Sequence, residues 1–335
     1  MSGEEVRLQA MTTNERISFE RILCPIDLTP ESDESLRYGI ALAKAYGAKL
    51  FVINCIDEPA VGGAIMRLNT EKLVEAEVRK YLLPPACEGF SWETLIVDGD
   101  PKEAITQQAA AQRIDLIVMR SRRRPYAAAL LGSTAEAVCR TAPCPVMVTH
   151  PNEQDWAGGT TNDIGLERVL IAYDFSSDSE LALSYGLSLA QECQAELHLL
   201  HVLSASSIRP DAPEIASMGP STEKGFREAA SGLHNAVPPE TRVWCGVKQA
   251  VREGHPYREV LAYAEEQRID LICMGASGTG FGMRALFGSN ADRVLRQAPC
   301  PVLITRPLRP AFAAPVAMRG KFNKSTETAF KSVGE

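Results

Sequence analysis

The sequence predicts an α/β protein made of two tandem doubly wound domains, each with a five-stranded parallel sheet flanked by helices. Three observations carry this prediction. The chain repeats itself in three matched blocks, each repeat alternates short apolar runs with helical stretches, and 335 residues suit about two domains. RILCPIDLTPESDESLRYGIALAKAYGAKLFVINCI, from Arg21, matches RVLIAYDFSSDSELALSYGLSLAQECQAELHLLHVL, from Arg168, at a constant offset. RIDLIVM from Arg113 matches RIDLICM from Arg268, and TAPCPVMVT from Thr141 matches QAPCPVLIT from Gln297. Matched blocks in the same order over such distances mean a duplicated domain, not a short solenoid period.

The second repeat shows the alternation best. RVLIAYD is a short apolar run with polar flanks, the pattern of a buried strand. Ser176 is placed to cap the helix that follows, along which Leu183, Leu187 and Ala190 recur at helical spacing. In the first repeat Thr29 takes the cap, Pro30 the first helical position, and Leu36, Ile40 and Ala43 the stripe. ELHLLHVL is the second strand, VWCGVKQAV the third, LICMG the fourth and PVLIT the fifth, with REVLAYAEEQR and NADRVLRQ as intervening helices. Strands separated by helices form parallel units with right-handed crossovers. In such folds ligands bind beyond the carboxyl ends of the strands, where the strand order reverses. That points to Asp27 and Asp174 after the first strands and to the segments after the fourth.

Composition sets the boundaries. Residues 1–19 read as an N-terminal extension, 20–150 as the first domain, and 151–165 (PNEQDWAGGTTNDIG, polar and Gly-rich) as a linker. Residues 166–307 form the second domain and 308–335 a flexible, mildly basic tail. A net charge of −7 argues against a DNA or membrane-surface partner. No apolar run is long enough to span a bilayer, and MSGEEVRLQAMTTNERISFE has no secretory h-region. Of nine cysteines, Cys24, Cys55, Cys144, Cys273 and Cys300 sit in apolar runs and read as reduced, buried thiols. There is no CxxC and no Cys/His cluster at zinc spacing, so no metal site is expected, and a cytoplasmic location is.

The segment after the fourth strand of the second repeat carries the chemistry. MGASGTGFGMRALFGSNADRV spaces its glycines as Gly275-x2-Gly278-x9-Gly288, followed by Ser289 and Asn290 where a helix begins. Glycines let backbone amides approach an anion, successive amides form an anion-binding concavity, and a helix N-terminus adds orphan N–H groups and a positive dipole end. The Walker lysine is missing, so nothing is poised on a transferring phosphate.

On these residues the chain resembles the universal stress protein family over nearly all of residues 20–150 and 166–307. Within the wider fold group the arrangement is adenine nucleotide alpha hydrolase-like. In that family G-x2-G-x9-G-S/T after the fourth strand marks ATP-binding members, and Gly275, Gly278, Gly288 and Ser289 match it. The resemblance also implies roles for Asp174 after the first strand and for Val202, whose backbone would contact adenine, with Met274 and Asn290 flanking the nucleotide. It implies ATP or a related adenine nucleotide, with or without Mg, in a regulatory protein of the stress response; with no general base, in-line nucleophile or Walker lysine visible in the sequence, no enzyme activity is expected. It further implies pairing of the last strands, here between the two domains of one chain as a pseudo-dimer, and a homodimer beyond that. The alternative is a scaffold that binds no nucleotide and acts through protein partners.

The first repeat departs from the pattern. Its loop reads MRSRRRPYAAALLGSTAE, with Arg120 in place of the first glycine and Arg123 where the second would stand, though Gly132 and Ser133 remain. Cys55 stands in place of Val202. This site is expected to have lost the family's mode of ATP binding. Its arginines read first as a solvated basic loop and second as a side-chain anion site of Arg120, Arg122, Arg123 and Arg124 with Gly132 and Ser133. Elsewhere His255 and Asp100 read as turn residues that start helices. His201, matched by Asn54, reads as a hydrogen-bonded strand residue, and Glu265 and Glu266 as a solvated face. No Ser/His/Asp set or paired acid/base couple recurs in both repeats.

Overall fold

The computed structural model describes residues 17–29, 32–56, 63–81, 90–121, 131–150, 156–157, 164–204, 220–277 and 287–306. The first repeat runs β1 (Arg21–Pro25), α1 (Ser32–Tyr46), β2 (Lys49–Ile56), α2 (Gly63–Tyr81), β3 (Trp92–Asp98), α3 (Pro101–Ala111), β4 (Leu116–Arg120), α4 (Ser133–Thr141) and β5 (Val146–Thr149). The second runs β6 (Arg168–Ala172), α5 (Ser177–Cys193), β7 (Glu196–Ser204), α6 (Pro220–Ala236), the single turn α7 (Thr241–Trp244), β8 (Val247–Gly254), α8 (Pro256–Glu266), β9 (Leu271–Gly275), α9 (Ser289–Gln297) and β10 (Val302–Thr305).

Strands β1, β4, β6 and β9 bury both faces, as their unbroken apolar runs require. Within each repeat every strand contact is parallel. The two sheets do not stay separate. β5 and β10 pair antiparallel, Val302 opposite Val148 and Leu303 opposite Met147. One ten-stranded sheet results, in the order β3-β2-β1-β4-β5-β10-β9-β6-β7-β8. Its two faces carry two apolar clusters, each crossing both repeats, one under α1, α2, α5 and α6 and the other under α3, α4, α8 and α9. The repeats also hold each other's helix ends. His150, after β5, hydrogen-bonds through Nε2 to the Leu295 carbonyl in α9 (2.6 Å), and Arg306, after β10, donates to the Arg140 carbonyl in α4. The Arg306 guanidinium at the C-terminal end of α4 is favoured by the helix dipole.

Local causes follow the sequence in most places. Ser176 caps α5, its hydroxyl accepting the Ser179 amide at 3.2 Å. Asp100 caps α3 by accepting the Lys102 amide, and Pro101 fills the first helical position. His255 holds the equivalent place before α8 without a side-chain cap bond. Pro30 lies outside the described residues, α1 is described from Ser32, and the Thr29 hydroxyl donates to Asp27 Oδ1 (2.6 Å). A cross-strand ion pair is kept with its signs exchanged, Lys49 with Glu93 in one repeat and Lys248 with Glu196 in the other. Glu266 does not stand alone on its face but pairs with Arg252.

One expectation is corrected, and two segments contribute more to the core than their composition suggests. The third strand does not begin at Val243. After Pro238 and Pro239 the chain closes i→i+3 bonds, Thr241 to Pro238 and Arg242 to Pro239, so Val243 and Trp244 lie in α7 and β8 starts at Val247. The N-terminal extension is not wholly outside the fold. Phe19 is buried against Tyr46 and Tyr185, and the Ile17 amide donates to Ser188 Oγ of the second repeat. The linker holds a core residue, since Trp156 is 3% exposed and donates from Nε1 to the Asp270 carbonyl at 2.9 Å. The tail from 308 lies outside the described residues. No helix among the described residues is long and apolar enough to cross a membrane.

Among the cysteines named from the sequence, Cys24, Cys273 and Cys300 are buried, while Cys55 and Cys144 are half-buried. Burial pushes the Cys24 and Cys139 thiols up to about 12, which keeps them protonated and unreactive.

His198 of β7 is fully buried between Tyr263 Oη (3.0 Å) and Glu196 Oε2 (3.0 Å), with Lys248 and Arg168 nearby. Desolvation holds its pKa below the ordinary 6.5, against the pull of Glu196. A depressed folded-state pKa means that the neutral ring's contribution to stability is complete above pH 6.5 and is lost as the pH falls below it, because the unfolded chain takes up the proton first. Unfolding free energy measured by urea titration is expected to fall between pH 7 and pH 5. His198→Gln is expected to flatten that slope, and an unchanged slope would exclude His198 as its source.

Candidate functional site

In each repeat the strand order turns back between the first and fourth strands, which places the crevice of the second repeat between β6 and β9. A cavity of about 390 Å³ lies there, within the range of small-molecule sites. Leu200, Val202, Val260, Met274, Ala291 and Val294 give it apolar walls, and Asp174, Ser277, Ser289 and Asn290 bring polar groups to it. Tyr257, with Arg293 4.6 Å over its ring, lines it from α8. Among the described residues no group of three or more His, Cys, Asp or Glu is placed to hold a metal.

The structure brings together Asp174, Val202, Met274, Gly275, Gly288, Ser289 and Asn290 on this one cavity. Gly278 lies outside the described residues. Asp174 follows the end of β6, and its Oδ1 accepts both the amide and the hydroxyl of Ser176. The carboxylate therefore orders the turn into α5. Phe175, between them, sits at φ 64, and Leu28 of the first repeat repeats this conformation at φ 59. Gly288 is the N-cap of α9, and the first intrahelical bond runs from the Asp292 amide to the Gly288 carbonyl. The amides of Ser289, Asn290 and Ala291 precede that bond, so they have no intrahelical acceptor, and all three residues line the cavity.

Two details differ from the sequence expectation. The amides from 275 to 290 do not all converge on one outside anion. Ala276 donates to the Thr305 carbonyl, Gly288 to the Ala276 carbonyl, and Ser277 to Asp178 Oδ2 (3.1 Å). The strand end and helix start are thus tied to each other and to β10, and the α9 terminus is the described donor set. Gly275 is also required for a different reason. A Cβ there would stand 2.5 Å from Asp178 Cβ and 2.9 Å from the Asp178 carbonyl carbon, so glycine lets β9 touch the first turn of α5. Asp178 is absent from the sequence-based site. Its only signal there is that of an acid in a first helical turn, which reads as a dipole partner. Burial raises its pKa, against the Ser277 amide and Arg306.

In the first repeat Arg120 ends β4 with its side chain largely buried and Nε 3.4 Å from Glu34 Oε2 of α1. Its charge is directed at Glu34 where the second repeat has Gly275. Gly132 caps α4 and Ser133 opens it, as at Gly288 and Ser289. Arg122, Arg123, Arg124 and Pro125 lie outside the described residues.

The model of the Universal stress protein family matches twice, over residues 18–150 and 165–306. A universal stress protein of Mycolicibacterium smegmatis is 24% identical over 297 residues, covering 85% of this chain and 97% of its own. One from Methanocaldococcus jannaschii is 32% identical over 142 residues, 42% of this chain and 82% of its own. Among solved structures, a universal stress protein from Archaeoglobus fulgidus superposes with a TM-score of 0.61 at 23% identity, covering 85% of this chain and 98% of its own. With a duplicated sheet, a cavity at the switch point of the second copy and two successive family matches, the chain belongs to the universal stress protein family, as a tandem two-domain member.

Proposed function

We propose that the second domain holds ATP or a related adenine nucleotide as a regulatory ligand in the stress response, and that occupancy changes the chain's contacts with a protein partner or a second copy. The carrying observation is the cavity at the β6–β9 switch point with the amide-bearing start of α9 on its wall. The residues fit the group. Apolar walls from Val202, Val260 and Met274 suit a base, the Val202 backbone its hydrogen-bonding edge, and the Asp174 turn a ribose. The helix start suits phosphates, which would bring any Mg with them. No lysine lines the cavity and no metal cluster stands among the described residues, which supports a held ligand rather than a transferred phosphate.

The test uses the full chain purified without added nucleotide. Denaturation and chromatography are expected to release adenine nucleotide, calorimetry to show ATP binding, and Gly278→Arg to abolish both. A nucleotide-free preparation that binds none removes the reading. The second reading is a scaffold, favoured by the exposed Ile65, Met66, Leu68 and Leu73 on α2. It expects Gly278→Arg to leave partner contacts unchanged.

A further inference from the structure

The β6–β7 ladder ends in a way that bears on how a ligand is read. In parallel pairing, backbone amides and carbonyls of one strand engage the neighbour at alternate residues. The Tyr173 amide donates to the Leu200 carbonyl at 2.9 Å, so Leu200 and then Val202 turn their backbone groups toward β6. The next bond of this ladder would run from the Val202 amide to the Tyr173 carbonyl. That carbonyl instead lies 2.8 Å from His201 Nδ1. A carbonyl only accepts, so Nδ1 carries the hydrogen. The ring is further held by Phe175, 4.7 Å away.

The first repeat does the same with a different side chain. The Ile26 amide donates to the Ile53 carbonyl at 2.9 Å, and the Ile26 carbonyl accepts from Asn54 Nδ2 at 3.0 Å. Two side chains of unlike shape, at matched positions, supply one donor to one matched carbonyl. Both carbonyls directly precede the aspartate turn with the positive-φ residue.

We propose that His201 is a positioning residue of the nucleotide site: by engaging the Tyr173 carbonyl it stops the ladder one bond early and leaves the Val202 amide to a hydrogen-bond acceptor on the ligand's base. This rests on the nucleotide reading above. His201 acts through the backbone of Tyr173 and Val202 and need not touch the ligand. The same bond fixes the strand end from which Asp174 turns. The first domain retains the device in Asn54 although Arg120, paired with Glu34, stands where the second domain has Gly275.

The test combines two readouts on the full chain. Amide exchange by NMR is expected to show Val202 exchanging faster than Leu200 in the ligand-free wild type. In His201→Ala the released carbonyl takes the Val202 amide, whose exchange slows by about tenfold or more, and ATP affinity measured by calorimetry falls about tenfold, as expected for one lost hydrogen bond. His201→Asn, the first domain's own solution, is expected to restore the fast exchange and to bind ATP within about threefold of wild type, an allowance below the cost of one hydrogen bond. A wild-type Val202 amide as protected as Leu200 overturns the proposal without any variant. Wild type that binds ATP while His201→Ala binds it equally well overturns this proposal alone, as does His201→Asn binding as weakly as His201→Ala. Wild type that takes up no adenine nucleotide overturns the parent reading and this one together.

Discussion

Trp156→Ala is expected to destabilise the chain by about 3–5 kcal/mol, the range for truncating a buried aromatic residue. The indole ring lies edge-on to Tyr38 of α1 with centroids 4.6 Å apart, while its N–H binds the carbonyl of Asp270 at the start of β9. Asp270 in turn accepts the amides of Glu167 and Arg168 through Oδ2, at 3.0 and 2.8 Å. One side chain in the linker therefore ties the first repeat's helix to the strand pair that frames the cavity. The loss would leave a cavity in the core and strip the Asp270 carbonyl of a donor. Urea midpoints measure it. Trp156→Phe, which keeps a ring and loses the N–H, should fall between wild type and the alanine variant. A Trp156→Ala protein within about 1 kcal/mol of wild type, less than the burial of one ordinary apolar side chain, would mean that the linker contributes no packing.

Ser289→Asp is expected to reduce ATP affinity at least a hundredfold, about 2.7 kcal/mol or more, while leaving the ligand-free protein as stable as wild type or more so. Ser289 is the first residue of α9, after the Gly288 cap. A carboxylate there meets the positive end of the helix, a gain of about 0.3–1 kcal/mol. The same carboxylate puts a negative charge on the cavity wall where the phosphates are proposed to sit, in a partly enclosed site where screening is weak. Opposite signs for stability and binding separate a ligand effect from damage to the fold. Ser289→Asn, neutral and of similar size, should bind within about tenfold, the cost of one lost hydrogen bond. If Ser289→Asp binds ATP as wild type does, the phosphates do not lie at α9.

The alternation of strands and helices, the caps at Ser176 and Asp100, and the placement of Asp174, Gly288 and Ser289 on one crevice were legible in the chain, while Val202 and Met274 entered through the family resemblance. Each depends on short-range physics. Burial on both faces demands unbroken apolar runs, a cap needs a small polar side chain one residue before a helix, and the repeat aligns one site on the other. The misread segment shows where this ends. VWCGVKQAV opens on the strand formers Val243 and Trp244, yet Pro238 and Pro239 fix a turn whose hydrogen bonds carry both into α7. Local turn geometry overrode propensity there.

By itself, then, the sequence determined the duplicated α/β architecture and where along it a ligand site would fall, because periodicity records which faces are buried. The joining of the two sheets through β5 and β10 was an expectation of the family resemblance, while the tertiary structure alone decided that Phe19 and Trp156 belong to the core and that Gly275 is needed for its approach to Asp178. It also decided that the Ser277 amide goes to Asp178 and the Tyr173 carbonyl to His201. Such contacts join residues distant in the chain, and a donor's choice among acceptors is set by angles and distances that only the packed sheet and helices fix.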